Sequence, residues 1–550
     1  KPLGSGGRWG ELASGVGRAT IARLLMIDLL PGLIIGLLLI GAAVAAATAS
    51  YQPRWTRVTA VSTAALAFLL WLTLRLALPI LPDAARLLAA WHVDGWTWAL
   101  GGAWLLLLLA ALLLRFQAAP AAANEPLPRF PQSSLMLLLG GVTLTAVWAG
   151  TPALVVTTWS LLALVWAAVA ALLRREQSDS AAVNTGAALA AGLLLGALGI
   201  WYAAALGGGA DWSTWTAAAR TAALLAILAQ MAAVPLLGQR ALAADDGSET
   251  AVLLLTGPAL AGAAMLVRLA ATGPMPALLP MTLIGLLAVL LGLRRVWAHL
   301  AEPALMGMGL LLAQIGWLLL AALWAGPAAA TAEARVLALA AGFLFLAARG
   351  VRADAADPVG RGLRLAGWLL ALAALAGLPL TAGFNGRAGL YTAWLAAGGW
   401  PLVVVAALLH GMLVTAVCLS ALSRTGGEAD APSSLMAQAA RLLPAIGLLA
   451  LPVALAQVAI GTWLALLLPM AAGVAAVRFA PDGAAAAAMV QRSTAVRVPA
   501  VSWRRWARLL TGVLRDAAVL LEGERGLLWL LLLAALIVLL AAGNHSYDDI

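Results

Sequence analysis

The sequence predicts an all-α polytopic membrane protein. Three observations carry this: of 550 residues 63% are hydrophobic, only 10% are charged, and the mean hydropathy is +0.98. A soluble domain has about a quarter of its residues charged, and a disordered chain is poorer in apolar residues than either. The apolar residues run in stretches long enough for helices that cross a bilayer, about 20 residues each. The alternation of apolar and polar residues that a membrane β-strand requires is absent.

Measured with that ruler the chain holds about 16 candidate spans. In order they cover residues 24–47, 58–80, 96–114, 134–149, 154–173, 187–206, 221–237, 251–271, 276–293, 305–324, 336–348, 365–382, 393–420, 442–459, 463–477 and 526–542. The arginines test this series, because cytoplasmic loops retain positive charge. Loops after odd-numbered spans hold Arg54 and Arg57, Arg115 and Arg129, Arg174 and Arg175, Arg240, Arg294 and Arg295, the set Arg349, Arg352, Arg361 and Arg364, then Arg424, then a cluster from Arg478 to Arg525. Loops after spans four, eight and fourteen are short and nearly free of them. The alternation places the odd loops in the cytoplasm and both termini on the other side of a prokaryotic inner membrane. The tail from Asn544 to Asp549, with no basic residue, agrees. Between the last two spans Trp503, Arg504, Arg505, Trp506 and Arg508 recur at helical spacing beside Leu509, Leu510 and Leu514. That pattern predicts a short interfacial helix over 503–521, most plainly a connecting helix.

Several chemistries are excluded by composition. Cys418 is the single cysteine, so there is no internal disulfide, thiolate cluster or cysteine-rich zinc site. Lys1 is the single lysine, and arginine keeps its proton at physiological pH, so no lysine relay can operate in the membrane. No phosphate-binding glycine loop follows a strand, and the basic residues do not gather into one soluble domain. The chain is therefore expected to bind no nucleotide, nucleic acid, metal or other cofactor. Its expected partners are the lipid bilayer and other integral membrane subunits. The 23 tryptophans are expected mostly to mark membrane interfaces.

Two spans carry helix breakers that a simple anchor would not need. Span seven ends Ala233-Val234-Pro235-Leu236-Leu237-Gly238, and span twelve reads Gly377-Leu378-Pro379-Leu380-Thr381-Ala382-Gly383-Phe384-Asn385-Gly386-Arg387. Freed carbonyls at membrane depth are tolerated only where protein or water satisfies them. Interrupted helices five spans apart fit a transporter built from two inverted repeats, although glycine and proline are frequent in membrane helices generally.

The stretch Ala376-Gly377-Leu378-Pro379 through Ala382-Gly383-Phe384-Asn385-Gly386-Arg387, followed by Leu390-Tyr391, resembles the broken twelfth helix of the antiporter-like subunits of respiratory complex I and of Mrp-type cation/proton antiporters. That family writes it as G-x-P-x-x-x-G-F-x-x-K. The segment from Glu302 through Ala313-Gln314-Ile315-Gly316-Trp317 is similar to the family's D-x-K-R-x-x-A-Y-S-S-x-x-Q-x-G-Y, and stretches at 154–173, 186–202 and 257–268 are similar to its fifth, sixth and eighth helices. The C-terminal helix and last span are similar to the lateral-helix extension of some members. The resemblance covers roughly residues 134–424 and implies five units: N-terminal helices over 1–133, a first five-helix repeat over 134–271, an inverted second repeat over 272–424, two helices over 425–480, and the interfacial helix with the final span over 481–550.

The resemblance also implies movement of protons or cations, carried in the family by a glutamate in helix five, lysines in helices seven and eight, and a lysine or glutamate in helix twelve. Here Ser160 stands at the glutamate's position, Asn184 and Gln230 at lysine positions of helices six and seven, Leu260 or a neighbour at that of helix eight, and Ala304 at the lysine of the K-R segment. The helix-twelve cation survives as Arg387. Serine, asparagine and glutamine hold water but do not change charge near neutral pH, so the pumping axis is expected to be lost or radically altered. Arg387 is expected to play a structural or electrostatic role, receiving carbonyl dipoles or a partner's carboxylate. His410 is the one histidine placed inside a span and the best remaining relay candidate, or else it is hydrogen-bonded to a helix carbonyl. Asp28 faces a neighbouring subunit or the outer headgroups; Arg75 and Arg268 are expected to snorkel to the interface. Three functions follow: an integral subunit of a complex I-like or Mrp-like assembly with an impaired or altered ion pathway, at most a translocating part of a redox-driven enzyme; a structural scaffold that transports nothing; or the membrane partner of an ion-driven uptake complex.

Overall fold

The computed structural model describes residues 29–49, 52–77, 91–117, 131–174, 180–207, 212–237, 249–300, 303–342, 358–375, 377–423, 435–449 and 460–479. These residues are almost entirely helical. We number the helices α1 (Leu29–Ala49), α2 (Pro53–Ala77), α3 (Gly95–Gln117), α4 (Gln132–Trp148), α5 (Pro152–Arg174), α6 (Ser180–Gly207), α7 (Ala217–Leu237), α8 (Glu249–Ala271), α9 (Leu278–Ala298), α10 (Pro303–Trp324), α11 (Gly326–Val336), α12 (Pro358–Leu375), α13 (Ala382–Ala396), α14 (Trp400–Ser423), α15 (Leu435–Gly447) and α16 (Ile460–Phe479). No strand occurs among the described residues; there are isolated bridges between Trp91 and Ala149 and between Thr381 and Leu449.

Ten of these helices are long and apolar enough to cross a membrane. The expected count of about 16 is therefore met only in part, and four expected spans are redrawn. The eleventh helix starts at Gly326, well before the expected residue 336, and continues from Val336 into a π-helical stretch, Leu337–Ala341. Glu333 and Arg335 make this segment look like a loop by hydropathy, but packing supplies both with partners. The twelfth span is two helices, α12 and α13. The thirteenth begins at Trp400 rather than 393, because Ala397, Gly398 and Gly399 form a turn in which Gly398 has φ +72°. The fourteenth, α15, closes at Gly447. The final span, the interfacial helix and Asp28 lie outside the described residues.

The core is organised on α8, whose membrane window is wholly buried, and α10, which is nearly so. Helix α8 packs against α3, α4, α7 and α11. A helix apolar on all sides is stable only when enclosed. Helices α9 and α10 approach most closely, through Gly285 and Gly292 on one and Gly309 and Gly316 on the other. A Cβ at Gly292 would lie 2.3 Å from the Ala313 nitrogen, and one at Gly316 would lie 2.5 Å from the Gly285 carbonyl oxygen. Small residues at such crossings let backbones touch where no hydrophobic force drives helices together in lipid.

The tryptophans depart from the interfacial expectation. Trp104, Trp148, Trp159, Trp166, Trp317 and Trp394 are fully buried. Three of these indoles give their N–H to a carbonyl, Trp104 to Gly140 at 2.9 Å, Trp148 to Thr97 at 3.1 Å and Trp166 to Leu254 at 2.8 Å, while those of Trp159, Trp317 and Trp394 have no hydrogen-bond partner among the described residues. Trp55, Trp201 and Trp400 remain on the exposed surface. The two buried arginines near the end of α8 also stay inside. Arg268, expected to snorkel, is 6% exposed and donates to the carbonyls of Ala149 and His92. Arg220 donates to Leu269 at 2.7 Å and Gly273 at 3.0 Å. Both satisfy carbonyls that a helix end leaves without intrahelical donors. Arg75 is exposed, with its guanidinium 5.5 Å from the Trp98 ring.

Candidate functional site

The chemistry gathers at the interruption between α12 and α13. Leu378 N–H bonds to Ala373 O at 2.8 Å and Gly377 N–H to Ala374 O at 3.2 Å, with Gly377 at φ +65°. This is the helix stop in which the residue past the cap turns left-handed, where glycine has no Cβ penalty. Leu380, at φ +71°, holds the same region without that freedom, a conformation uncommon for a side-chain-bearing residue. The chain restarts when Thr381 donates its hydroxyl to Leu378 O at 2.7 Å and Ala382 N–H bonds to Leu448 O at 2.8 Å. The end of α15 thus supplies an acceptor for the first turn of α13. Gly383 packs directly on the end of α12: a Cβ there would sit 1.7 Å from the Ala374 carbonyl oxygen. Gly377, Pro379 and Gly383 therefore lie at a real interruption. Pro235 does not: it falls in the last turn of α7, which is helical from Ala217 to Leu237. A proline so near a helix end removes one bond and interrupts nothing. Its carbonyl accepts a bond from Arg295 on α9.

One turn into α13, Arg387 points into the protein and is 1% exposed. Its Nε donates to Glu333 Oε1 at 2.7 Å, and its Nη2 donates to Glu333 Oε2 at 3.4 Å and Gln314 Oε1 at 3.2 Å. Gln314 completes the ring, its Nε2 donating to the Glu333 carboxylate and, at 3.2 Å, to the Glu333 backbone carbonyl. Three helices are joined: α10 through Gln314, α11 through Glu333, α13 through Arg387. The guanidinium lies 4.0 Å from the centre of the Trp317 ring, in cation–π contact. Gly386 makes room for the carboxylate, since a Cβ there would be 2.5 Å from Oε1. The partner carboxylate expected for Arg387 thus comes from the chain itself.

His410, on α14, is fully buried. Its Nε2 lies 3.1 Å from Leu375 O, the freed carbonyl at the end of α12. A carbonyl only accepts, so Nε2 carries the hydrogen of this bond. The ring stands edge-on to Trp317, with centroids 6.0 Å apart. His410 Nδ1, Tyr391 OH, Arg387 Nη1 and the indole nitrogens of Trp317 and Trp394 are buried without a hydrogen-bond partner among the described residues. Groups of this kind are ordinarily satisfied by ordered water.

The remaining predicted positions lie elsewhere. Ser160 is half-buried on α5, Asn184 lies on α6, and Ala304 is in the first turn of α10. Gln230 is fully buried on α7 opposite Gly196, and both amide atoms lack partners among the described residues. No hydrogen bond joins Ser160 or Gln230 to the Arg387 centre among the described residues. Sequence reasoning missed Glu333 altogether. Its only signal was position: it is the sole acidic residue of the alanine-rich run 326–342. Gln314 lay within a recognised motif but carried no expected role.

A cavity of about 710 Å³ opens between the start of α3, the α10–α11 junction and α13. Its lining includes Ala332 and Ala388, the chain neighbours of Glu333 and Arg387, but neither member of the ion pair.

The sequence matches no family model, and it matches no curated protein. Solved structures do match. A chain of respiratory complex I from Thermus thermophilus, determined with bound Aureothin, superposes with a TM-score of 0.56 at 20% identity, covering 80% of this chain and 98% of its own. A chain of the Mrp complex from Dietzia sp. DQ12-45-1b gives 0.59 at 16% identity, covering 85% and 99%. A chain of the membrane-bound sulfane sulfur reductase, an archaeal respiratory membrane complex, gives 0.59 at 16% identity, covering 94% and 100%. The protein has the fold of chains from these membrane complexes.

Proposed function

We propose that this chain is the antiporter-like integral subunit of a multisubunit complex I-like or Mrp-like membrane complex, with an altered ion pathway. Support for the assembly comes from the fold: it is shared with chains of three such complexes nearly over their whole length. Other membrane subunits are then its partners, and the two five-helix repeats are its translocating half-units.

The observation that carries the altered pathway is the buried Arg387–Glu333 pair at the broken span, with N···O 2.7 Å and side chains 1% and 0% exposed. Arginine cannot release its proton in a protein, so this position supplies a fixed charge where a lysine would titrate. The interruption nevertheless persists, with the carbonyls of Ala373, Ala374, Leu375 and Leu378 and the N–H of Ala382 given partners. A pure scaffold has no need of a broken span holding a charge pair, so the geometry favours the translocating reading over the scaffold.

The test is isolation in mild detergent. An affinity-tagged chain should migrate on native gels with several other integral membrane chains, identified by mass spectrometry, and the reconstituted complex should sustain ion flux that the paired substitution E333Q/R387Q abolishes. A chain that migrates alone would overturn the assembly, and flux unchanged in that variant would leave the scaffold reading in its place.

A further inference from the structure

The cavity beside α13 has a polar end and an open end. On α13 its lining extends from Asn385 to Ala396, 11 residues apart, or about 16 Å of helix. Helix α11 runs antiparallel alongside: a Cβ at Gly386 would lie 2.5 Å from Glu333 Oε1, and one at Gly389 would lie 3.2 Å from the Ala329 Cβ. That register sets Arg335 level with Asn385 at one end, and Ala325 and Ala328 level with Ala393 and Ala396 at the other. The open end is exposed at Gly95, Trp96, Ala328 and Ala396. Between the ends the walls are mainly alanine, glycine and the rings of Trp96, Trp324 and Phe384.

Arg335 does more than close α15. Its Nη2 donates to the carbonyls of Gly447 at 2.5 Å and Leu449 at 3.2 Å, which anchors the guanidinium by one nitrogen. Nε and Nη1 make no hydrogen bond among the described residues, and neither is fully occluded. No carboxylate pairs with Arg335 among the described residues. Glu333 cancels Arg387, so Arg335 leaves one positive charge at the level of the broken span. A cation at that depth is tolerated where a counter-charge or a wet cavity meets it. The planar fork of a guanidinium matches a carboxylate, and about 710 Å³ of chiefly apolar space suits a small organic ligand. A helix 10–12 Å across would fill about 1,300 Å³ or more over the same length, so a partner's helix is too bulky. We propose that the groove binds a carboxylate-headed amphiphile, with the carboxylate on Arg335 Nε and Nη1 and the apolar body lying along Trp324 and Phe384 toward the open end. Asn385 Oδ1, buried without a partner among the described residues, accepts from an ordered water beside the head group.

The test is photolabelling of the full chain, together with whatever membrane chains accompany it on purification, by a decanoate carrying a diazirine on its alkyl chain. Adducts mapped by mass spectrometry should fall within 324–335 and 385–396. Unlabelled decanoate should displace the probe, and neither decanol nor formate should do so at the same concentration. R335Q, whose amide still offers a donor to the end of α15, should lower labelling at least about tenfold, the least that losing one charged hydrogen bond costs. A328F narrows the open end and leaves Arg335 and its two carbonyls untouched, so it should lower labelling in a chain that certainly folds around them. Displacement by decanol as good as by decanoate would show an apolar groove that recognises no head group; equal displacement by formate would show an anion site with no place for a tail. Either overturns the proposal, as does labelling unchanged in A328F or in R335Q. Adducts as heavy on the lipid-exposed Leu283 and Leu408 would show partition into the surrounding lipid or detergent only. Labelling seen with the chain alone and lost beside its accompanying chains would assign Arg335 to a partner's carboxylate, and would overturn the free ligand while leaving the assembly intact.

Discussion

Breaking the Arg387–Glu333 pair tests the structure at its most demanding point. At an effective dielectric of about 20, two unit charges 2.7 Å apart attract by about 6 kcal/mol. Removing each ion from water costs several kcal/mol, so the pair as a whole contributes little net stability. Losing one member is different. E333Q strands a guanidinium, and R387Q strands a carboxylate, in a site where the exposures are 0% and 1%, so solvent screening does not relieve the loss. Each single substitution is expected to cost about 3–5 kcal/mol. The double substitution E333Q/R387Q should cost well under the sum, leaving a coupling of about 2–3 kcal/mol. Equilibrium unfolding in mixed micelles, followed by tryptophan fluorescence, measures all four corners of this cycle. Additive single effects, or single effects below about 1 kcal/mol, would refute the claim that the pair is buried and mutually dependent.

Other expectations follow from the same structure. G383A should abolish folded protein, judged by size-exclusion chromatography in detergent, because its Cβ would overlap the Ala374 carbonyl at 1.7 Å; the same change at Gly95, whose Cβ meets nothing within 4 Å, should be tolerated. R268K should not restore what R268A loses, about 1.5–3 kcal/mol for each charged hydrogen bond, since one ammonium cannot reproduce the fork that reaches both Ala149 and His92. Asp94, in the loop before α3, has its carboxyl held at about 2: burial acts to raise it, but the bonds from His92 and Thr97 and the nearby Arg268 together lower it further. Because the folded value lies below the unfolded one of about 3.9, the contribution is complete above that pH and is lost as pH falls toward 2. D94N should flatten the acid limb of stability measured from pH 5 to pH 2. H410L should leave the Leu375 carbonyl without its bond and lower thermal stability by about 1–3 kcal/mol.

Much of the fold was open to reading in one dimension. A bilayer imposes long apolar helices whose backbones satisfy themselves, so hydropathy located the starts of α3, α4, α5 and α8 within a few residues, and the glycines and proline of 377–383 marked the interruption. Arg387 and His410 were visible as the ionisable residues of apolar stretches. The same ruler hid Glu333, because a window that counts apolar residues rejects a segment carrying a carboxylate and an arginine. It likewise placed Arg268 at a lipid interface, since a sequence does not show which carbonyls converge on a helix end.

The sequence by itself determined the solvent, the helical class and the place where one span breaks, for each follows from local composition and backbone chemistry. Only the tertiary structure decided which charges live together. Burying Glu333 is unfavourable alone and tolerable beside Arg387 and Gln314, and those residues, 54 and 19 positions away along the chain, become its neighbours only when α10, α11 and α13 pack.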